Sequence, residues 1–310
     1  MTKFQLYALA TTLVTFGLVI LGGVVRVTDS GLGCPDWPRC HGSFIPPAET
    51  EIWIEWSHRL TASITGFLIF GLAIAAWRSQ RENRVIIAAA AASLVVLAVQ
   101  VILGAITVKR ELPPEIVATH LVTGLTLLTT LIVITIASFV SPRQPLRVER
   151  NPLFPLLAVA LLVTITTMWL GAYMTESGAN FACDGWPRCN GTFLPEFTRL
   201  VRIHWLHRFL ALVMGGALVL VALQTRSLFG PRSTLYSAAA AAVGLYGAQV
   251  LMGAGNIWTD MSEETSISHL ALGSLIWSSL VGLMVASFYF PGRQAAATRG
   301  RALPQQERAS

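Results

Sequence analysis

The sequence predicts an all-α integral membrane protein whose eight transmembrane helices form two pseudo-symmetric four-helix bundles. Three observations carry this. The chain is 54% hydrophobic and only 12% charged, with a mean hydropathy of +0.61, well outside the composition of soluble domains. Eight apolar stretches, at 4–27, 55–77, 85–108, 116–140, 153–174, 203–223, 234–256 and 266–290, are each long enough to cross ~30 Å of hydrocarbon as a helix. The chain also repeats itself. Cys34, Cys40, His58 and His120 return as Cys183, Cys189, His207 and His269, each 149 positions later (34 to 183, 120 to 269), which marks an internal duplication.

The first stretch follows Lys3 as a signal-peptide core would, but it is long enough to span. Its repeat counterpart at 153–174 lies mid-chain, so the stretch is expected to remain as a helix. An outer loop containing Cys34 and Cys40 follows it. A basic turn with Arg78, Arg81 and Arg84 joins the second and third stretches. The third carries Gln100-Val-Ile-Leu-Gly104-Ala105, which returns on the seventh as Gln249-Val-Leu-Met-Gly253-Ala254. Glycine and alanine there allow close helix approach or room for a flat ring, and the glutamines suit hydrogen bonding between helices. The runs Ala88–Ala92 and Ala238–Ala242 read as packing faces. One half therefore covers 1–140 and the other 153–290. Between them lies a linker at 141–152 with Pro142, Pro145 and three arginines, and a tail at 291–310 is expected to be disordered.

Basic residues set the expected orientation. With both termini in the cytoplasm, Lys3, the Arg78–Arg84 turn, the linker arginines, Arg226, Arg232 and the tail are inside. Fewer cations remain outside, as the positive-inside rule requires of a protein in the plasma membrane. The net charge of +6 then reflects topology and contact with anionic lipid, and no clustered patch points to nucleic acid.

This orientation puts all four cysteines outside, where disulfides persist. Cys34-Pro-Asp-Trp-Pro-Arg-Cys40 and Cys183-Asp-Gly-Trp-Pro-Arg-Cys189 can each close a tight ring. The spacing departs from the usual Cys-x2-Cys zinc half-site, although a four-cysteine site across both loops is the alternative. As disulfides, Cys34–Cys40 and Cys183–Cys189 read either as staples pinning loops or as redox-active pairs.

His58 and His207 fall about one turn below the outer ends of the second and sixth spans, and His120 and His269 below those of the fourth and eighth. Helices running in the same direction bring each pair to one depth. Two imidazoles facing across a four-helix bundle suit axial ligation of a haem, and histidine is otherwise rare in hydrocarbon. Iron with both axial positions filled suits electron transfer. If one half holds a permanent haem, the other is free to take a haem as substrate.

The halves differ three residues before the first histidine. Glu55-Trp56-Ser57-His58-Arg59 becomes His204-Trp205-Leu206-His207-Arg208. Glu55 shares a helix face with His58 and suits a base toward water or a stabiliser of a cation; the bland reading is a solvated interfacial carboxylate. Arg59 and Arg208 suit haem propionates, or simple snorkelling. Arg26 closes the first stretch with no basic counterpart in the repeat and is expected to serve the first-half site. His41, whose counterpart is Asn190, reads as a surface residue.

With the Thr28-Asp29-Ser30-Gly31 and Thr175-Glu176-Ser177-Gly178 turns, the cysteine loops, Glu55-Trp56-Ser57-His58-Arg59 and the four helix-end histidines, the chain resembles the haem A synthase family across all eight spans, in its cysteine-containing bacterial branch. The resemblance implies oxidation of the C8 methyl of haem O to the formyl group of haem A for terminal oxidases. It implies haem b held by His207 and His269, haem O near His58 and His120, and Glu55 as the catalytic carboxylate. It further implies a functional Cys34–Cys40 and a structural Cys183–Cys189. Successive hydroxylations would draw oxygen from water, with electrons leaving through haem b or the disulfide to an acceptor the sequence does not name. Haem O would come from a farnesylating haem O synthase, and a homo-oligomer is compatible with all of this. Two alternatives are a di-haem electron carrier, which has no use for Glu55, and a membrane thiol oxidoreductase, which has no use for the histidines.

Overall fold

The computed structural model describes residues 1–140 and 151–289. The expected linker, apart from Asn151 and Pro152, and the expected tail lie outside the described residues. Among the described residues there are eight long helices: α1 (Lys3–Val27), α2 (Thr50–Ser79), α3 (Arg84–Lys109), α4 (Pro114–Ser138), α5 (Phe154–Glu176), α6 (Arg199–Phe229), α7 (Thr234–Trp258) and α8 (Glu263–Tyr289). Each is long and apolar enough to cross a membrane, so the chain is a multi-pass membrane protein. Large side chains such as Phe67, Leu212 and Val95 are exposed along the helices, as a lipid-facing surface requires.

Several helices overrun the apolar stretches that announce them. Hydropathy finds the segment in hydrocarbon, whereas a helix continues until something satisfies its end groups. Thr2 and Gln5 form a reciprocal cap at the start of α1, Asn83 Oδ1 accepts from Val85 and Ile86 at the start of α3, and Thr198 caps α6 ahead of the apolar stretch that begins at 203. Gly230, at φ 91°, closes α6, since only glycine adopts that conformation freely.

Helices α1–α4 pack as a closed ring of neighbours, and α5–α8 repeat it. Helices α1, α4, α5 and α8 join the rings through α4–α5, α1–α8 and a central α4–α8 seam. Each ring is filled by side chains in the part away from the cysteine loops. Phe4, Ile69, Leu72, Ile86, Leu131 and Ile134 fill the first, and Leu157, Leu218, Val221, Ile276 and Leu280 the second. At the seam, Trp277 of α8 packs with Leu125, Leu128 and Ile132 of α4. Its Nε1 donates to Thr129 Oγ1 and to the Leu125 carbonyl. The histidines and the space around them occupy the other part.

The duplication extends to the backbone. Asp29 and Gly178 share a left-handed conformation, as do His41 and Asn190, Glu111 and Asp260, and Leu112 and Met261. Each cysteine pair closes on itself, with Cα–Cα separations of 4.7 and 4.6 Å, so no four-cysteine metal site spans the loops. Trp56 Nε1 donates to the Phe44 carbonyl and Trp205 Nε1 to that of Phe193, pinning each loop on the following helix. Inside the first loop, the Asp36 carboxylate accepts from the amides of Gly42 and His41, which holds its pKa below the usual carboxylate value. The second loop inverts the arrangement: Asn190 Oδ1 accepts from the Asp184 amide.

Candidate functional site

Each of the four helix-end histidines lies against a glycine on the preceding helix. A Cβ added at Gly22 or Gly104 would sit 3.2 Å from Cε1 of His58 or His120. At Gly171 and Gly253 the corresponding distances to His207 and His269 are 2.9 and 3.1 Å. The missing side chain lets the Cε1 edge of the imidazole approach the neighbouring backbone closely. Gly22 and Gly171 are themselves 149 positions apart, a match that the periodicity of the apolar stretches hides.

Hydrogen bonds orient two of the rings, differently in the two halves. His269 Nδ1 lies 3.1 Å from the Gln249 carbonyl oxygen. A carbonyl only accepts, so Nδ1 carries the proton and Nε2 the lone pair a metal needs. His120 instead meets the Gln100 side-chain amide at Nε2, at 3.2 Å. The Nδ1 atoms of His58, His120 and His207 are buried and unpartnered among the described residues.

The second half encloses a cavity of about 680 Å³ lined by His207, His269, His204, Arg208, Met168 and Tyr246, within the ~300–1,000 Å³ range of cofactor sites. A largely apolar wall, two imidazoles lining one cavity and a glycine against each ring fit a flat, iron-centred macrocycle. His204 is buried, and its Nδ1 donates to the Ala179 carbonyl at 3.0 Å, so the short turn after α5 holds it in place. Asn180, also buried, brings an unpartnered Oδ1 to the cavity wall.

In the first half, Glu55 is 5% exposed, which removes the reading of a solvated carboxylate. Arg59 Nε donates to Glu55 Oε1 at 2.6 Å. The rest of the guanidinium is taken up by the cysteine loop: Nη1 donates to the carbonyls of Asp36 and Arg39, and Nη2 to that of Cys34 at 2.6 Å. Arg59 was expected beside a propionate; it is engaged with Glu55 and the loop. Among the described residues its counterpart Arg208 donates to the Arg188 carbonyl alone, through Nη1, and its Nη2 is buried without a partner. Replacing Glu55 by His204 in the repeat has left Arg208 open toward the cavity.

Arg26 is also placed away from its expected site. Its Nε pairs with Glu176 at the end of α5, and its side chain lines the second-half cavity. His41 is exposed, with Nε2 beside the Gly33 carbonyl. The residue after each histidine on α4 and α8 crosses between halves: Leu121 lines the second-half cavity and Leu270 lies against Gly23 of α1.

Residues 5–281 match the COX15-CtaA family, described as cytochrome oxidase assembly protein. The chain is 28% identical to a haem A synthase of Alkalihalophilus pseudofirmus over 90% of its own length and 95% of the other. It is 29% identical to one from Symbiobacterium thermophilum over 90% and 94% of the two chains. Against one from an Exiguobacterium species the identity is 35%, over 68% and 69%.

Proposed function

This chain belongs to the cytochrome oxidase assembly protein family, and we propose from that premise how its residues convert haem O to haem A. It is an oxidoreductase that carries the C8 methyl of haem O to the formyl group of haem A. The finer reading places the substrate in the 1–140 half, between His58 and His120 and beside Glu55, and haem b in the 153–290 half on His207 and His269. What carries it is the asymmetry around Arg59 and Arg208: a buried, ion-paired carboxylate stands beside only one histidine pair. The cavity lined by His207, His269 and Arg208 supports haem b in the other half.

His207 and His269 would hold haem b, and Arg208 would meet a propionate. When bound there, haem b would supply one-electron transfer. Glu55 is the general base. Oxidation of the methyl to a cationic carbon, and capture by water, gives the alcohol with release of two protons and two electrons. Glu55 takes a proton from the attacking water and Arg59 fixes the carboxylate that does so. A second round gives a gem-diol, which loses water to the aldehyde. Reduction of Cys34–Cys40 to two thiols consumes two electrons and two protons, the yield of one round. Its re-oxidation then needs an acceptor outside the chain.

The basic residues of the Arg78–Arg84 turn and of Arg226 and Arg232 support cytoplasmic termini, with the cysteine loops on the outer face of the plasma membrane. Haem O, made by a farnesylating enzyme in the same membrane, would enter from it.

The reading is tested in a host that makes haem O and no haem A, by extracting haems and measuring their masses. The wild-type chain should yield haem A or its hydroxylated precursor. Glu55→Gln should retain both haems and yield neither product. Unchanged haem O beside tightly bound haem b in the wild-type membranes would favour an electron carrier.

A further inference from the structure

Arg26 and Glu176 form an ion pair that the duplication does not repeat. Their counterparts are Thr175 and Val27, so the pair exists once, between the last turn of α1 and the last residue of α5. Only Nε of Arg26 is engaged by the carboxylate. Nη2 is buried and unpartnered among the described residues, and Arg26 is one of the residues lining the second-half cavity. A residue serving only to pair with Glu176 would present its fork to both carboxylate oxygens. Arg26 is held through Nε alone, which leaves its Nη2 without a partner in a residue that lines the cavity.

Arg208 lines the same cavity, and its Nη2 is likewise buried and unpartnered. Two guanidinium edges left open in one low-dielectric cavity are costly unless an anion meets them. The first-half counterpart of Arg208 shows what satisfaction looks like, since Arg59 is bonded at Nε, Nη1 and Nη2. No carboxylate of the cavity wall does this for Arg208, whose Glu55-equivalent is His204. A ligand bringing one carboxylate to each arginine would complete both.

We propose that Arg26 and Arg208 form a two-point carboxylate clamp for the propionates of the haem in the second half, with Arg26 contributed by the first half. This rests on the reading that His207 and His269 hold a haem. Glu176 is a positioning residue that turns the guanidinium. The clamp makes the second-half haem site a product of both halves. Helix α1, which carries Gly22 against His58 of the first site, also grips the occupant of the second.

The test uses the full-length protein purified in detergent with its haem. Its readouts are b-type haem per chain, the rate of haem transfer to excess apomyoglobin, and the midpoint potential. Arg26→Gln should speed haem transfer roughly 10- to 100-fold, the range for losing one charge-assisted hydrogen bond, and should lower the potential by removing a cation. Glu176→Gln leaves the guanidinium in place and should release haem far more slowly than Arg26→Gln. His207→Ala should abolish the b-type spectrum.

Wild-type transfer rate and potential in Arg26→Gln overturn the clamp, and so does equal haem loss in Glu176→Gln and Arg26→Gln, which would make the ion pair the whole effect. If Arg26→Gln does not accumulate, Arg26→Lys decides. Charge without the fork should speed transfer while leaving the potential near wild type, and an unchanged rate overturns the proposal. A full b-type spectrum in His207→Ala would instead overturn the haem assignment beneath it.

Discussion

Arg59 stands between Glu55 and the first disulfide loop: its Nε is 2.6 Å from Glu55 Oε1, and its Nη2 is 2.6 Å from the Cys34 carbonyl oxygen. One side chain thus fixes both the buried carboxylate one turn before His58 and the backbone of Cys34. Neither can move without the other being felt through a planar, rigid guanidinium. In the second half, among the described residues, the corresponding arginine bonds to its loop alone, at Arg188, so the link is found in the first half and not in its repeat.

Removing the two ends of this link should give different outcomes. Arg59→Ala leaves Glu55 as a buried, uncompensated charge and strips the loop of its tethers, at a cost of about 3–5 kcal/mol. Glu55→Gln keeps a hydrogen-bond acceptor for Arg59 and the loop contacts. Both variants should lose haem A formation, but only Arg59→Ala should lose thermal stability in detergent. Equal melting temperatures for the two variants would show that Arg59 does not hold the loop.

The glycines behind the histidines should be intolerant of a single methyl group. Gly171→Ala and Gly253→Ala bring Cβ to 2.9 and 3.1 Å from an imidazole, an overpacking that costs ~1–3 kcal/mol and tilts the ring. Gly216→Ala, with nothing within 4 Å of its Cβ, is the control. Reduced-minus-oxidised spectra should show diminished b-type haem in the first two variants and a normal signal in the third.

The histidines, the lone glutamate and the cysteine pairs are legible in the sequence because the repeat supplies an internal comparison: each position has a partner that shares or lacks its chemistry. What the comparison misses is chemistry that crosses it. Arg26 reads as a first-half residue, since it sits on the first helix, yet the docking of α1 beside α8 carries its side chain to the second-half cavity. That docking depends on three-dimensional packing of faces that are apolar all round and carry little directional pattern. The partners of Arg59 were equally hidden, because three of them are backbone carbonyls, and any residue type supplies one.

Gln100 should regulate how firmly the substrate is held. Its amide meets His120 at Nε2, whereas His269 is held from Nδ1 by the Gln249 backbone and keeps Nε2 open. An amide that competes for the ligating nitrogen favours exchange. Gln100→Leu should co-purify with more haem O and haem A per chain than wild type, as measured by mass analysis of extracted haems, and should turn over more slowly. An unchanged haem inventory would remove Gln100 from this role.

The two disulfides should respond differently to the same substitution. Cys34 and Cys40 are 0% and 2% exposed and pack on Ile52, one turn before Glu55, and the Cys34 carbonyl is bound to Arg59. Cys189 instead lines the second-half cavity, and its loop holds Arg208 through Arg188. Cys34→Ser with Cys40→Ser should therefore abolish haem A formation while leaving b-type haem in place. Cys183→Ser with Cys189→Ser removes a loop closure, a stabilisation of ~2–4 kcal/mol in typical cases. It should lower thermal stability and loosen b-type haem before it affects the chemistry of whatever haem O is bound. Haem analysis and melting curves on the two double variants separate these outcomes. If both pairs lose haem b and stability alike, the first disulfide is a staple like the second, and the electrons from Glu55-assisted oxidation leave by another route.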